Sequence, residues 1–393
     1  MIVIILAAGK GKRMRPLTDT RLKGSLPIQN QALLLKLADM LNNSGIMDNL
    51  ILVISPWQLE AMKQLFEKTP YFSKVDFAIQ DPPKGTGDAV AQAESFMDDE
   101  QQCLVLNGDI LAPIEEIIPR LLAHHKKLQA SCTMTVYPGK NKRYGLLQIS
   151  NDGRVLDIKE KAKSEDITDE IGYINSGIYL FEREIFDIIR KTPLSERGEY
   201  EITDSISILG EKGPIGAIIT NSWMSIENPI DLFKAQQFSK PIKQMMNMQF
   251  HTGEEIGFKA VEDIFFDEET KIDFSSIKIE GPVLVGEGTL IETGSSIGPY
   301  VYIGRNCEIG TNTSIRNSLF FDFCRIEQNC EIANLIGGEE LLIGHNSKIK
   351  PSVDNYLILG GKTIVTSFVE LIVGAKIKAH SVIKRDTKVI SGY

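Results

Sequence analysis

Gly9-Lys10-Gly11 stands directly after a short aliphatic run and is followed by Lys12, Arg13, Arg15, Arg21 and Lys23, in a chain that is acidic as a whole. Glycines at a strand-to-helix turn let backbone N–H groups approach phosphate oxygens, and cationic side chains beside them complete a cradle for a polyphosphate. The competing reading is a solvated basic loop. This is not a dinucleotide fingerprint, because Met14 occupies the third glycine position. It is not a P-loop either, since no Gly-Lys-Ser or Gly-Lys-Thr follows at the required spacing. Two more polar clusters end aliphatic runs: Gln80, leading into Gly85-Thr86-Gly87-Asp88, and Asn107-Gly108-Asp109. Asp109 suits Mg²⁺, which takes one or two carboxylates together with phosphate oxygens and water. A turn-forming aspartate is the bland alternative.

Such residues need a scaffold that brings them together. The aliphatic runs at 2–6, 50–54, 75–79 and 103–106 are continuous rather than alternating, as expected of parallel strands buried on both faces. Between them, Leu33, Leu34, Leu37 and Leu41, then Leu59, Met62, Leu65 and Phe66, recur at helical spacing, the second set opened by Ser55 and Pro56. The expected architecture is a Rossmann-like α/β domain with a mostly parallel sheet, over residues 1–238. Ligands bind such sheets at the carboxyl ends of the strands, so the three clusters are expected to meet in one crevice. A hairpin around Asn151-Asp152-Gly153 should be appended to this core. His124 and His125 are expected on the solvated face of a helix.

Residues 239–276 lack sustained periodicity and read as a connector. From 277 to 393 the pattern is different: Ile279, Val285, Ile291, Ile297, Ile303, Ile309 and Ile315 stand at every sixth residue. A hexapeptide repeat with glycine after the aliphatic is the signature of a parallel β-helix, a triangular prism in which three hexads make one coil. The small residue is expected to permit the corner. The phase slips after Ile315, returning at Ile326 and Ile332 and again at Ile343 and Ile349, and these slips are expected to be projecting loops. A stem of this kind exposes flat faces, which a homotrimer would cover.

Composition limits the classes of partner. The 43 Lys and Arg against 52 Asp and Glu give a formal charge of −9, which argues against nucleic acid or an anionic membrane as ligand. The apolar opening, residues 1–8, is far short of a membrane span and lacks the flanks of a signal peptide, so a cytoplasmic protein is expected. The five cysteines have neither zinc spacing nor a paired motif and are expected to be reduced.

Taken in order, Leu6-Ala7-Ala8-Gly9-Lys10-Gly11-Lys12-Arg13-Met14-Arg15-Pro16-Leu17-Thr18 with Lys23 and Leu26-Pro27-Ile28 resembles the signature of sugar-1-phosphate nucleotidylyltransferases. Gln80, Gly85-Thr86-Gly87-Asp88-Ala89, Asn107-Gly108-Asp109, Tyr144-Gly145, Glu160-Lys161, Asn175-Ser176-Gly177 and Gly198-Glu199-Tyr200 through Thr203-Asp204 recur in that family's order. The resemblance extends to a left-handed β-helix tail and is greatest to UDP-N-acetylglucosamine and glucose-1-phosphate thymidylyltransferase types. It implies Mg²⁺-dependent transfer of a nucleotidyl group from a nucleoside triphosphate, UTP or dTTP, to a sugar 1-phosphate with release of pyrophosphate.

The resemblance also implies roles for individual residues. Ala8, Gly9, Gly11 and Arg13 would hold the nucleotide's phosphates, and Lys23 would neutralise charge at the α-phosphate. Gln80, Gly85 and Thr86 would line the base, while Gly145, Glu160 and Asn175 would grip the sugar. Asp109 would carry Mg²⁺ with Glu227 as second ligand and Asn228 as fallback. The chain departs from the family pattern at Lys12, Leu22 and Ser225, the last a place where many relatives carry Asp. Bifunctional relatives add an acetyltransferase whose base is a β-helix histidine, which makes His345 and His380 candidates, although the segment after Ile349 departs from that pattern. The three departures also admit a non-catalytic nucleotide-sugar sensor.

Overall fold

The computed structural model describes residues 1–98, 102–139, 146–159, 172–238, 264–266, 270–273, 275–352 and 355–385. The chain forms two compact units, one made of residues 1–10 and 33–225, the other of residues 11–32 and 226–393.

In the first unit the expected strands appear at Ile2–Leu6, Asn49–Ile54, Val75–Ile79 and Cys103–Asn107. They pair in parallel, with Ile2–Leu6 between Cys103–Asn107 and Asn49–Ile54, and Val75–Ile79 beyond the latter. Val3, Ile4, Ile5, Ile51 and Val53 are wholly buried, which is why these runs are apolar on both faces. Tyr173–Phe181 joins the other side antiparallel, followed by the hairpin Leu146–Ile149 and Val155–Lys159 that the Asn-Asp-Gly turn predicts. The helices Leu33–Asn43 and Leu59–Phe66 lie where the periodicity puts them. Ser55 and Gln58 form a capping box, and the Gln58 amide also donates to Ala7 O at 3.1 Å. This capping turn therefore braces the strand end that leads to Gly9.

One expectation fails in this unit. On the helix Ile114–Leu128, His125 is buried, not solvated: its Nδ1 faces Thr133 Oγ1 at 2.8 Å and its Nε2 faces Glu182 Oε1 at 3.1 Å. His124 Nε2 lies 2.9 Å from Gly153 O. Both imidazoles are tied to neighbouring elements, a pairing that helical spacing alone does not reveal.

The second unit is a left-handed parallel β-helix whose three sheets start, among the described residues, at Ile264–Phe266, Lys271–Ile272 and Lys278–Ile279. Ile291 stacks on Ile309, Ile309 on Ile326, Ile326 on Ile343 and Val365 on Ile383, all buried in the prism. The first two slips of phase are not loops. Ile309 and Ile326 are 17 residues apart where Ile291 and Ile309 are 18 apart, so the coil is shortened by one residue at the corner beside Asn317 and the register continues. An insertion follows Ile349: Ile349 stacks on Leu371, 22 residues on.

Of the glycines after the aliphatics, Gly298 alone has positive φ, +111°; Gly286, Gly304 and Gly310 do not make the corners. A Cβ on Gly304 would lie 2.5 Å from Phe321 C, so glycine there answers to the spacing between coils. The turn comes two residues later, in left-handed backbone at Gly288, Gly294, Asn306, Asn312, Asn329 and Asn346. Next, in several repeats, stands a small donor that ties one coil to the next. Thr289 Oγ1 donates to Gly304 O at 2.8 Å, Cys307 Sγ to Phe321 O at 3.2 Å and Cys330 Sγ to Gly344 O at 3.3 Å. Cysteine and threonine are interchangeable in this role, and all five cysteines are free and buried.

The faces of the prism differ. In the first sheet the outward row Leu284, Tyr302, Leu319, Ile336 and Ile358 is itself buried, and Phe233 of the helix Pro229–Ala235 packs edge-on to Tyr302 and against Tyr356. Two of the strands there, Val283–Val285 and Leu357–Leu359, read as unbroken aliphatic triplets. The third sheet faces outward with charge, for example Glu331 between Lys348 and Lys350.

Candidate active site

Ala8 and Gly9 follow Ile2–Leu6, Gln80 follows Val75–Ile79, and Asp109 follows Cys103–Asn107, so all stand at the same edge of the parallel sheet. Ala8 is buried and its carbonyl accepts from Ser55 Oγ at 3.0 Å, whereas Gly9 is exposed and a Cβ there would meet nothing. A ligand can thus reach the Gly9 backbone from a firmly held base. Gly108 sits against the same strand: its N–H donates to Leu6 O at 2.9 Å, and a Cβ would lie 2.8 Å from that oxygen. This close approach fixes Asp109 beside the first strand.

The base-lining residues are also bracing residues. The Gln80 amide donates to Gly85 O at 2.9 Å and to Asp88 Oδ2 at 2.7 Å, closing the loop between them. Gly85 has φ +112°, and a Cβ would lie 2.5 Å from Tyr200 O. Thr86 Oγ1 accepts from Ile202 N at 3.0 Å. The Gly-Thr-Gly-Asp and Glu-Tyr motifs are therefore one packed structure, which accounts for their joint presence in the sequence. Asn175 stands in Tyr173–Phe181 at a bulge beside Gly177, its Nδ2 donating to Tyr179 OH at 2.8 Å and its Oδ1 accepting from Gly177 N at 3.1 Å. Gly145 and Glu160 lie outside the described residues.

Gly11, Arg13 and Lys23 belong to the second unit. Gly11 is in left-handed backbone at φ +62°, with a built Cβ 3.1 Å from Lys23 Cβ, so glycine is what lets the start of this segment lie against the lysine. Thr18 Oγ1 donates to Gly11 O at 2.9 Å. Arg13, Arg15, Lys10 and Lys12 are exposed, whereas Arg21 is not: only 21% of its side chain is accessible and it faces carboxylates of the β-helix. Arg21 is therefore removed from the cationic set that sequence spacing assembles.

Arg13 is ion-paired with Glu227, whose side chain is 12% exposed. Glu227 and Asn228 N–H groups both donate to Asp231 Oδ2 at 3.1 Å, and Asn228 Oδ1 caps the helix Pro229–Ala235 through Ile230 N and Asp231 N. Asn228 is thus occupied as a cap. Ser225 pairs with Ile110, the residue after Asp109. The hard carboxylate oxygen of Asp109 at a strand end fits a magnesium ion that takes most of its other ligands from phosphates and water. Glu227 offers the same donor chemistry once its ion pair with Arg13 is exchanged. Among the described residues there is no group of three or more His, Cys, Asp or Glu side chains that could hold a metal without substrate.

A parallel sheet with Gly9, Gln80 and Asp109 just beyond the carboxyl ends of its strands has the layout in which open α/β sheets bind their ligands. The family model described as nucleotidyl transferase matches residues 2–241, and a second, the GMPPB C-terminal domain, matches residues 279–391. The chain belongs to the nucleotidyl transferase family and is a nucleotidyltransferase. It is 28% identical over 367 residues to the bifunctional protein GlmU of Methanocaldococcus jannaschii, covering 88% of this chain and 80% of that one. The GlmU of Clostridioides difficile is 28% identical over 380 residues, 94% of this chain and 75% of the relative. A bifunctional sugar-1-phosphate nucleotidylyltransferase/acetyltransferase of Sulfurisphaera tokodaii is 26% identical over 369 residues, 89% and 82% of the two chains. A solved structure from Bacillus anthracis, described as a candidate glucose-1-phosphate thymidylyltransferase in complex with a sucrose, matches with TM-score 0.54 at 22% identity, over 62% of this chain and 97% of its own. Among the described residues no helix is long and apolar enough to cross a membrane.

Proposed function

We propose that this enzyme joins UTP or dTTP to a sugar 1-phosphate of the N-acetylglucosamine or glucose type and releases pyrophosphate. The observation that carries the reading is the loop after Ile2–Leu6, with an open backbone at Gly9, left-handed backbone at Gly11 and an exposed Arg13 that already holds a carboxylate. Gly9, Gly11 and Arg13 bind the β- and γ-phosphates, and Lys23 neutralises charge developing on the α-phosphate. The sugar phosphate oxygen, already anionic near neutral pH, forms a bond to the α-phosphorus as the bond to the bridging oxygen breaks and pyrophosphate leaves. No general base is needed, so catalysis consists of in-line positioning and charge neutralisation. Asp109, with Glu227, would hold Mg²⁺, which when bound supplies positive charge to the phosphates. Gln80, Gly85 and Thr86 line the base, and Asn175, Gly145 and Glu160 the sugar.

The test is pyrophosphate release with Mg²⁺ over a matrix of nucleoside triphosphates and sugar 1-phosphates. Activity confined to one nucleotide and lost in Asp109→Asn is the expected result. Silence throughout with nucleotide-sugar binding intact would replace the reading with a sensor.

A second activity has one observation in its favour. His345 Nδ1 lies 3.0 Å from Glu327 Oε2 and 2.9 Å from Ser367 Oγ, beside a groove lined by Leu290, Glu292, Glu308, Arg325 and Gln328. A histidine held through Nδ1 presents Nε2 as a base, the arrangement acetyl transfer to an amino sugar requires. His380 instead occupies a corner in left-handed backbone, φ 60°. Acetyl-CoA consumption with glucosamine 1-phosphate, abolished by His345→Ala, would establish this activity; no consumption would remove it. The outward row of the second sheet, Leu290, Glu308, Arg325, Leu342, Ile364 and Val382, mixes apolar ends with one exposed ion pair and is the face we assign to a homotrimer, to be read as three times 43.8 kDa by light scattering.

A further inference from the structure

The segment 11–32, which carries Arg13 and Lys23, is folded into the β-helix unit rather than into the sheet it follows in sequence. Its end is fastened by Gln29 and Gln236, which exchange hydrogen bonds of 2.7 and 3.0 Å, and by Arg305 Nη2, which donates to Asn30 O at 2.6 Å. Its middle is fastened by Arg21. The guanidinium lies over the Phe321 ring at 5.3 Å, with Nε 3.5 Å from Glu339 Oε2 and Nη2 4.0 Å from Asp322 Oδ2. On its other side Nη1 donates to Ser25 O at 3.5 Å, in the single turn Lys23–Ser25. Arg21 thus bridges two carboxylates on successive coils of the prism and the turn that bears the lysine.

Glu339 is 10% exposed, and its Oε2 is buried with no hydrogen bond among the described residues, so Arg21 supplies a cation that compensates its charge. Asp322 is used twice, its Oδ1 accepting from Arg305 N at 2.9 Å. The packing leaves no slack: a Cβ on Gly361 would lie 2.7 Å from Thr20 Oγ1 and 2.9 Å from the Glu339 carboxyl carbon. A solvated arginine on a substrate-binding loop would show none of this.

We infer that Arg21 is a positioning residue for Lys23, and that the Glu339 and Asp322 carboxylates make the β-helix part of the nucleotidyl-transfer machinery; this rests on the role proposed above for Lys23. Charge on the α-phosphate grows in the transition state, so a lysine displaced by a fraction of an ångström costs turnover more than ground-state nucleotide binding.

The experiment compares the full chain with Asp322→Asn/Glu339→Gln, Arg21→Lys and, as control, Glu340→Gln, whose carboxylate pairs instead with Lys362. Read are kcat and KM for the active nucleoside triphosphate, its binding in the absence of sugar phosphate, and the melting temperature. The double variant should lose about 10- to 100-fold in kcat with nucleotide affinity within about twofold, Arg21→Lys should lose less, and Glu340→Gln should match wild type. Wild-type kcat in a double variant that merely melts lower would overturn the inference by making the contact structural only. Loss of nucleotide affinity in Arg21→Lys with kcat intact would overturn it by placing Arg21 on the substrate. If wild type releases no pyrophosphate with any pair while still binding nucleotide, the nucleotidyl-transfer reading itself fails, a result distinct from both. Should the double variant not fold, Arg21→Lys, which keeps the charge beside Glu339, carries the test alone.

Discussion

The parallel sheet and the β-helix use polar residues in opposite ways. In the sheet, Gly9, Gln80 and Asp109 stand where regularity stops, at the ends of strands, and each has surroundings of its own. In the β-helix a residue's role is its place in the repeat: Thr289, Cys307 and Cys330 all donate to a carbonyl of the adjoining coil, whatever their reactivity elsewhere. Chemical side chains in a repeat are therefore weak evidence of chemistry, and singular side chains at strand ends are strong evidence. His345 is the exception, because its ring is engaged outside the repeat's own bonding pattern.

The sharpest division should come from Lys23→Ala, expected to cut pyrophosphate release by about 10²–10³-fold with little change in melting temperature, since in the role proposed for Lys23 the change removes charge that stabilises the transition state. Ile309→Ala should do the reverse. Its side chain is fully buried in the prism, so about 2–5 kcal/mol of stability is lost, visible as a lower denaturation midpoint, while the folded fraction turns over normally. A large loss of turnover in Ile309→Ala would show that the prism acts on the reaction beyond the contacts of Arg21. Cys330→Ser should cost less than about 1.5 kcal/mol, because Ser347 already fills the equivalent place and keeps the donor. Burial pushes the Cys103 thiol up to about 12 and raises those of Cys132, Cys324 and Cys330, so native protein should resist thiol reagents that label the unfolded chain at once.

The smallest effect expected is electrostatic. The His345 backbone N–H and ring, 2.9 and 3.0 Å from the Glu327 carboxylate, hold it below the ordinary value of 4.5. A carboxyl depressed by folding stabilises above its unfolded value, and that contribution is lost as pH falls through the folded one. Glu327→Gln should therefore lose less stability than wild type between pH 6 and pH 3, by about 1–2 °C in melting temperature for so exposed a group.

The legible features of this fold were those governed by short periods. Aliphatic runs set the central strands to within a residue, and the six-residue interval located the prism, because both rest on neighbours a few positions away. The slips beyond Ile315 were misread because a coil shortened by one residue and a loop break the interval alike. Arg21 and His125 were misplaced for a different reason: their partners, Glu339 and Glu182, lie far along the chain, and nothing near either residue announces them. The packing of Gly85 and the bracing role of Thr86 are of the same kind, with Tyr200 and Ile202 as distant complements.

The tether of the first loop to the prism also has a schedule. Asn30 bonds to Ile303 and Arg305, residues 273 and 275 positions later. A ribosome adding about 5–20 residues per second needs roughly 15–55 s to reach them. For that interval a nascent chain carries its cationic loop without the coil that fastens Asn30, and a chain released early keeps it so. Timing in synthesis thus separates making the loop from fastening it.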